Sequence, residues 1–469
     1  KSSGGAEHGA RFDWTKDGNS KGLLIEEART NLIVYSQNFS HSEWILSSST
    51  IATSGEIDPS GGTGAYKLTL NASDSGARIR DGWTSTAGEH TFSVYVKKGT
   101  ASDIRVGFND EGTRAVTLDF NIDTGQIITS SNANNTSIQD CGNGWYRVSV
   151  TGTIDASGGD TVYLRGFSTN SNTSSGDYLH IFGAQLEQGS FPTSLIPTYG
   201  ATASRAADVA SVSGTAFSRF FKQTEGTIVV DAQVAKGFDD ATTYARIYSF
   251  NDNSSSDSIR SYISSSNRIV GSVKQGSDQA NNTATSPDFD DDDGGVFKFG
   301  HSYKTNRSAV FGNGVAGGVG SDVTVTTNLT QLNIGNRYNG TNPFNGWIRR
   351  FRYFNKAKAD AQVLNLTDSS KLLDRYRGAK AAHSLRSLRD GRDNSPVCSV
   401  RRSYDNSEKS FSASEVSDGT LENFHKSEAQ KTLPLNISCE ADELVTGGDF
   451  TDLVTNGDFA TDSDWTKGT

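Results

Sequence analysis

Hydrophobic and polar residues alternate with a period of two through most of residues 31–187. Phe92, Val94 and Val96 fall on one face of a predicted strand, and the same period returns in 104–108, 116–122, 146–150 and 178–182. Clusters of Gly, Asn, Asp and Ser end these segments about every ten residues. The pattern predicts an antiparallel β-sandwich, since a parallel sheet would need helical segments between its strands.

The same alternation resumes from residue 226 onward. Strands are predicted at 228–234, 246–250, 261–263, 268–273, 296–299, 308–311, 323–325, 332–334 and 347–354. A short helix is predicted after them, with Asp360 as its N-cap and with Val363, Leu364 and Leu366 on one face. The predicted fold class is therefore all-β, with two antiparallel β-sandwiches in tandem.

Two segments flank the first predicted sandwich. Residues 1–30 form a polar lead-in whose short strands, at 10–14 and 22–25, are expected to pack on the sandwich that follows. Residues 188–225 form a linker with two stiffening prolines, and its apolar residues are Phe191, Leu195, Ile196 and Tyr199. These residues join either the two sandwiches to each other or this chain to a neighbouring chain, and the sequence leaves both alternatives open.

Several segments resemble modules of tailed-bacteriophage fibre and spike proteins. The resemblance is carried by IFGAQLEQGSFPTSLIPTYGATASRAADV at 181–209, by Ala28-Arg29-Thr30-Asn31-Leu32, and by Asn38-Phe39 through Trp44. It implies a jelly-roll, carbohydrate-binding-like domain at 31–187. The closing Gly346-Trp347-Ile348 with Asp360-Ala361-Gln362 resembles concanavalin A-like, laminin-G-like lectin domains, which implies a lectin domain at 226–367.

The C-terminal hundred residues differ in pattern. Ala381–Leu388 and Val400–Asn406 resemble the opening of an arabinofuranosidase-like sandwich, which implies a partial module at 370–440. Leu444–Phe450 is echoed by Leu453–Phe459, and the repeat resembles the first strand of galactose-binding jelly rolls. The start of a further module is therefore expected at 441–469.

Composition and charge narrow the classes of partner. The chain of 469 residues has a net charge of -10, which argues against nucleic acid and against an anionic membrane surface as the main partner. No hydrophobic run approaches the length of a membrane helix. The chain begins at Lys1 and has no Met, which favours an internal piece of a longer polypeptide. Cys141, Cys398 and Cys439 are too widely spaced for a disulfide framework or a zinc site.

The sequence favours a protein without catalytic activity and without a required cofactor. None of the seven histidines lies in a metal-ligand spacing, and no nucleophile-elbow motif occurs. Calcium is the one metal considered, because oxygen-rich loops bind hard cations, and its candidate ligands are Asp239, Asp240, Asp291 and Asp293. The alternatives for these acids are simple solvation or a carboxylate pair for glycoside hydrolysis.

Saccharide binding needs aromatic rings beside polar groups that hold hydroxyls. Two loop candidates fit this description, and they are Trp83 with Arg80 and Asp81, and Tyr338 with Arg337 and Asn339. Trp145 and Trp347 begin alternating strands and are expected in the core.

The resemblance implies a virion appendage, a tail fibre or a head spike, located on the virion surface or outside the cell. Its implied work is adhesion to host-surface glycans or structural extension of the particle. The expected partners are host glycans, other virion proteins and further copies of the chain, with a trimer favoured. The alternatives are a secreted bacterial carbohydrate-active protein with binding modules and a purely structural decoration or filament protein.

Overall fold

A computed structural model of the chain describes residues 10–16, 18–71, 77–108, 115–155, 158–166, 174–235, 244–288, 295–325, 328–368, 398–402, 408–411 and 435–439. Their regular structure consists of antiparallel strands and two short helices, which confirms the predicted all-β fold class of tandem sandwiches. None of the described helices is both long enough and apolar enough to cross a membrane.

Fifteen strands are described between residues 10 and 188. They are β1 Phe12–Trp14, β2 Ser20–Ile25, β3 Arg29–Asn31, β4 Ile45–Ser47, β5 Ser49–Thr53, β6 Tyr66–Leu70, β7 Arg78–Ser85, β8 Gly88–Lys98, β9 Asp103–Phe108, β10 Val116–Asn121, β11 Gln126–Ser131, β12 Asn135–Gly142, β13 Trp145–Ile154, β14 Gly158–Gly166 and β15 Tyr178–Gln188. Twelve of them form the first sandwich, from the sheets β11-β10-β9-β14-β7-β4 and β12-β13-β8-β15-β6-β5. Its core lies between these sheets and contains the fully buried rings of Phe92, Phe108 and Phe120.

Residues 203–368 supply most of a second sandwich. Its elements are β16 Ala203–Arg205, β17 Ala210–Ser213, α1 Gly214–Phe220, β18 Glu225–Val234, β19 Arg246–Asn251, β20 Asp257–Ile263, β21 Arg268–Gln275, β22 Ser277–Asp288, β23 Val296–Lys304, β24 Arg307–Gly312, β25 Val315–Gly320, β26 Gln331–Ile334, β27 Gly346–Phe354 and α2 Asp360–Thr367. The two sheets run β1-β2-β27-β18-β23-β24-β25 and β17-β26-β19-β20-β21-β22. Phe250, Phe297 and Phe299 are fully buried between them.

Three strands are described beyond residue 368. They are β28 Cys398–Arg402, β29 Glu408–Phe411 and β30 Leu435–Cys439, and they form a small sheet in the order β29-β28-β30. The rest of the predicted 370–440 module and all of 441–469 lie outside the described residues.

The sequence predicts that the N-terminal strands pack on the sandwich that follows them. The structure places them on the second sandwich instead. Strand β2 pairs with β27, with Leu23 opposite Ile348. Leu23 and Ile25 alternate toward the second core and are buried there. Gly22, at φ +104°, permits this pairing, because a Cβ at that position would lie 2.4 Å from the Arg349 Cα.

A cluster of buried charges joins the hairpin of β1 and β2 to the connector. In this junction cluster, Arg11 Nη1 donates to Glu26 Oε2 at 2.6 Å, and Arg11 Nε donates to Asp208 Oδ1 at 3.0 Å. Arg205 Nη1 lies 3.2 Å from Glu26 Oε2, and the Ser194 N–H donates to Glu26 Oε1 at 2.8 Å. Burial alone would raise the pKa of Glu26, but the Arg205 and Arg11 guanidinium groups lower it below its usual value.

The apolar residues of the connector contact both sandwiches. Phe191 is buried in the second core, and Leu195 packs beside Phe182 of the first sandwich. Ile196 is buried as well, whereas Tyr199 is 77% exposed and donates to Gln37 Oε1 at 2.9 Å. Within the chain, the connector therefore joins the two sandwiches to each other, which is the first of the two alternatives for this segment.

Two local predictions differ from the structure. Residues 323–325 are not a strand, although Val323 and Val325 are buried in the core, because burial alone does not supply a pairing partner. Asp360 is the first residue of helix α2 rather than its cap, since its carboxylate binds Arg307 Nη2 at 2.7 Å. The Ala359 N–H instead donates to Gln362 Oε1 at 3.2 Å.

Substituting Glu26→Gln is expected to destabilise the chain by ~3 kcal/mol, because it leaves buried Arg11 and Arg205 without their shared carboxylate. Urea unfolding measures this change. The control is Lys98→Ala, which removes an exposed ion pair with Asp123 and is expected to change stability by less than ~1 kcal/mol. Equal effects of the two substitutions would show that the junction cluster does not stabilise the fold.

Candidate functional site

One sheet of the second sandwich has a polar outer surface. Alternate residues of its strands, such as Phe250, Ile259 and Val273, point into the core. The residues between them point outward and are almost all polar, and we call this surface the polar face: Ser249, Asn251, Ser258, Arg260, Tyr262, Ser272, Gln331 and Asn333. Four adjacent strands contribute to the polar face, and its more accessible members are Arg260, Tyr262 and Gln331, whereas Ser249, Asn251, Ser258, Ser272 and Asn333 are buried.

A network of amides fixes the end of the polar face where β19 ends and β26 begins. Asn251 Nδ2 donates to Asn333 Oδ1 at 2.8 Å, and Gln331 Nε2 donates to Asn251 Oδ1 at 2.8 Å. Asn251 and Asn333 are buried, whereas Gln331 is half-buried. In the neighbouring strands, Ser258 Oγ and Ser272 Oγ are buried and make no hydrogen bond within the described residues. Donors and acceptors are thus held in fixed positions, with some capacity unused.

Two tyrosines and two arginines lie at one end of the polar face. The Tyr244 and Tyr262 rings meet edge to face, with centroids 5.8 Å apart. The guanidinium carbons of Arg246 and Arg260 lie 4.6 and 5.8 Å from the Tyr262 centroid. Tyr244 is 45% exposed and has φ +49°, a conformation uncommon for a bulky residue. Strained backbone of this kind concentrates at ligand-binding positions.

Tyr338 lies in a turn beside the same strand ends, as the sequence predicts. The Arg337 guanidinium carbon lies 5.3 Å from the Tyr338 centroid. Asn339 Oδ1 accepts a hydrogen bond from Thr341 Oγ1 at 2.7 Å, which fixes the turn. The loop reaches the start of β19, where the Arg246 N–H donates to Asn342 O at 2.9 Å. The binding roles of Arg337, Tyr338 and Asn339 stay a prediction.

The other predicted group of binding residues, around Trp83, is split between the two faces of one strand. Arg80, Asp81 and Trp83 lie within β7, not in a loop, because Gly82 pairs with Thr161 of β14 instead of forming a turn. Strand alternation turns Asp81 and Trp83 toward the interior of the first sandwich and Arg80 toward its outer surface. The three side chains therefore do not form one site, and their separate binding roles stay a prediction.

Asp81 is a buried acid with an unusual titration. It is 2% exposed, and its Oδ1 makes no hydrogen bond within the described residues. Burial, with a smaller contribution from the charge of Glu43, raises the pKa of Asp81 to about 7. Trp83 contacts His90, with ring centroids 4.9 Å apart, and burial lowers the pKa of that histidine. The charge of Asp160 acts on His90 in the opposite direction.

The structure does not test the predicted calcium ligands. Asp239, Asp240, Asp291 and Asp293 are outside the described residues. Within the part of the chain that the structure describes, no group of three His, Cys, Asp or Glu side chains is placed to hold a metal ion.

The two tryptophans expected in the core differ from each other. Trp145 is buried, and its Nε1 donates to Ile57 O at 2.9 Å. Trp347 is half-buried on the outer side of its sheet, because alternation directs Ile348 inward. The N-terminal hairpin covers it, with Lys21 Nζ 3.7 Å from the ring centroid and Asp13 Oδ2 2.9 Å from the indole nitrogen.

A hydrogen-bonded histidine lies deep in the second core. Tyr248 Oη is 2.8 Å from His301 Nδ1, and Ser308 Oγ is 2.9 Å from Nε2. Burial lowers the pKa of His301 to about 3. The ring is therefore neutral at physiological pH and packs as a core side chain.

Sequence reasoning missed Tyr244, Arg246, Arg260 and Tyr262. The segment 257–263, DSIRSYI, carries the available signal, since its arginine and tyrosine alternate with isoleucines. The signal becomes specific only once the register sets Arg246 opposite Tyr262.

Comparisons with known proteins give fold-level likeness only. No protein-family model matches the chain, and no curated protein matches it in sequence. Among solved structures, the Ruminococcus gnavus IT-sialidase CBM40 bound to α2,6-sialyllactose is 13% identical with TM-score 0.29, covering 34% of this chain and 93% of that one. Domains LG4-5 of the mouse laminin α1 chain are 12% identical with TM-score 0.24, and the match covers 74% of this chain and 92% of that one.

The Streptococcus pneumoniae NanB sialidase is also similar. It is 12% identical with TM-score 0.28, and the match covers 33% of this chain but 26% of the sialidase. At these TM-scores the likenesses carry no argument about ligand or activity.

Asp81→Asn is expected to make the chain more stable at pH 8, by up to ~4 kcal/mol, and to leave it nearly unchanged at pH 4. An aspartate with a folded-state pKa of about 7 is protonated in the fold and ionised in the unfolded chain between pH ~4 and ~7. Parent stability therefore falls as pH rises from ~4 through 7. Urea unfolding across pH measures the difference.

Asp58→Asn is the matched control with the opposite sign. Although burial alone would raise the pKa of Asp58, hydrogen bonds from Ser60, Gly64 and Gly62 lower it. Removing that carboxylate should weaken the fold at pH 8. A pH profile unchanged by Asp81→Asn would show that Asp81 is ionised in the fold.

Proposed function

We propose that the chain is a saccharide-binding protein and that the polar face of its second sandwich holds the saccharide. The observation that carries the proposal is the Tyr244–Tyr262 pair with its two arginines, which shares the polar face with a fixed network of side-chain amides at the other end of β19. Aromatic rings bind the apolar face of a sugar ring, and amides and guanidinium groups bind its hydroxyls. The polar face offers both kinds of group on one surface.

The division of roles follows from exposure. Tyr244 is exposed and can take a sugar ring against its face, whereas the Tyr262 ring supports Tyr244 edge to face. Gln331 is half-buried and borders the amide network. Because this network is already oriented, binding a hydroxyl there needs little reordering of side chains.

Binding without hydrolysis is the activity that this chemistry supports. Glycoside hydrolysis needs two carboxyl groups ~5–10 Å apart. The side chains that define the polar face are amides, hydroxyls, an arginine and a tyrosine, which hold a sugar and do not protonate a glycosidic oxygen at neutral pH.

The larger setting we propose is a tailed-bacteriophage appendage, a tail fibre or head spike, which binds host-surface glycans or extends the particle. The sequence segments at 28–32, 38–44 and 181–209 support this origin. Weak sugar contacts multiply when several copies are displayed together, so a trimer suits the role. A secreted bacterial carbohydrate-binding protein shares the same face, and a purely structural decoration protein would not use it.

Tyr244→Ala is expected to weaken binding at least about fivefold, since a stacked ring contributes ~1 kcal/mol or more. The probe is an array of bacterial-surface oligosaccharides, followed by isothermal titration of the strongest neutral binder. Tyr199→Ala is the matched control, because it removes an exposed tyrosine of the connector. Equal binding by parent and Tyr244→Ala, with both variants folded by circular dichroism, would refute this site.

Mass photometry of the native assembly, with intact mass of the denatured chain, tests the appendage setting. A symmetric trimer is expected. A stable monomer of 50.2 kDa would contradict that setting while leaving saccharide binding intact.

A further inference from the structure

A second outer surface, on the first sandwich, is lined by arginines. Arg78 and Arg80 alternate with buried Ile79 on β7, Arg165 follows buried Leu164 on β14, and Arg105 precedes buried Val106 on β9. All four arginines therefore point away from the core, and each is half-buried. We call this surface the arginine face.

Strand register aligns three of these residues. Arg165 lies opposite Arg78 on one side and opposite Arg105 on the other. Neighbouring strands are ~4.8 Å apart, so the three backbone positions span about 10 Å. Like charges directly opposite each other weaken a sheet. Such a row is therefore a feature that folding alone does not favour.

Two acidic side chains among the described residues of the same surface, Asp119 and Asp103, are already engaged. Arg105 Nη2 donates to Asp119 Oδ2 at 2.6 Å, and Asp119 is fully buried. Asp103 accepts from Asn121 Nδ2 at 2.6 Å. The arginine face thus brings four guanidinium groups onto one sheet surface of a chain whose net charge is -10.

Tyr163 fixes the centre of the arginine face. Its side chain lies across Gly107, where a Cβ would come within 2.8 Å of the tyrosine oxygen. The Arg165 guanidinium carbon is 5.5 Å from the Tyr163 centroid. Since Tyr163 is only 1% exposed, it positions arginine and cannot stack on a nucleobase. Beside it, Arg80 Nε is buried without a hydrogen-bond partner within the described residues.

We propose that the arginine face binds an acidic polysaccharide, with uronic acid carboxylates held by the guanidinium forks of Arg80 and Arg165. Arginine presents paired N–H donors that match a carboxylate, and a row of them suits an anion that repeats along a chain. The saccharide part of this inference rests on the proposed function, whereas anion binding does not. The site lies on a different sandwich from the polar face, and its ligand is an anionic saccharide.

The test is isothermal titration with a hexamer of galacturonic acid and with its methyl ester as the neutral match. The acid is expected to bind at least about ten times more tightly than the ester. Its affinity should fall as the salt concentration rises from roughly 50 to 500 mM, because salt screens ion-pair contacts. Arg165→Gln should weaken it about tenfold. Arg80→Lys, which keeps the charge but loses the fork, should recover only part of the parent affinity.

Arg349→Gln, an exposed arginine of the second sandwich, is the charge-matched control and should bind as the parent does. Tyr244→Ala should keep full affinity for the acid, so loss of the polar-face site and loss of this one are separable. Equal binding of acid and ester, or equal loss in the Arg349 control, would overturn the proposal. So would binding of a single-stranded oligonucleotide in place of the uronate.

Discussion

The carboxylate of Glu26 lies between the guanidinium groups of Arg11 and Arg205, and the relation between the two sandwiches depends on this contact. Arg11 belongs to the N-terminal hairpin and Arg205 to the connector, so both of these segments contact the same carboxylate. Buried charges are unfavourable unless each keeps its partners. The junction cluster therefore favours one arrangement of hairpin, connector and second sandwich, and Phe191 and Leu195 reinforce it from either side.

Both outer faces arise from the same geometric rule. Alternation commits every second residue to a core and leaves the others free to vary. In the second sandwich that freedom is used for neutral amides, hydroxyls and tyrosine rings, and in the first it is used for arginines. One architecture thus carries two surfaces of different charge, and the chemistry belongs to the side chains rather than to the fold.

The sequence was sufficient for the two sandwiches and for most inward residues, because period-two alternation is a local property. It was insufficient for pairing between distant strands, so it left the hairpin on the wrong sandwich. Gly82 resembles a turn residue in the sequence, yet it pairs within β7 and thereby separates Arg80 from Asp81 and Trp83. The polar face was not predictable as a site, since Ser249, Arg260 and Asn333 become neighbours only through register.

The N-terminal hairpin makes the second sandwich discontinuous along the chain. Asp13 and the indole of Trp347 that it contacts are 334 residues apart. At ~5–20 residues per second, a ribosome needs roughly 20–60 s to make the intervening chain. During that time Leu23 and Ile25 have no sheet to join, although the whole first sandwich has been made. Completion of the second sandwich is thus a late event in biosynthesis, and a fragment that begins at residue 226 lacks three of its strands, β1, β2 and β17.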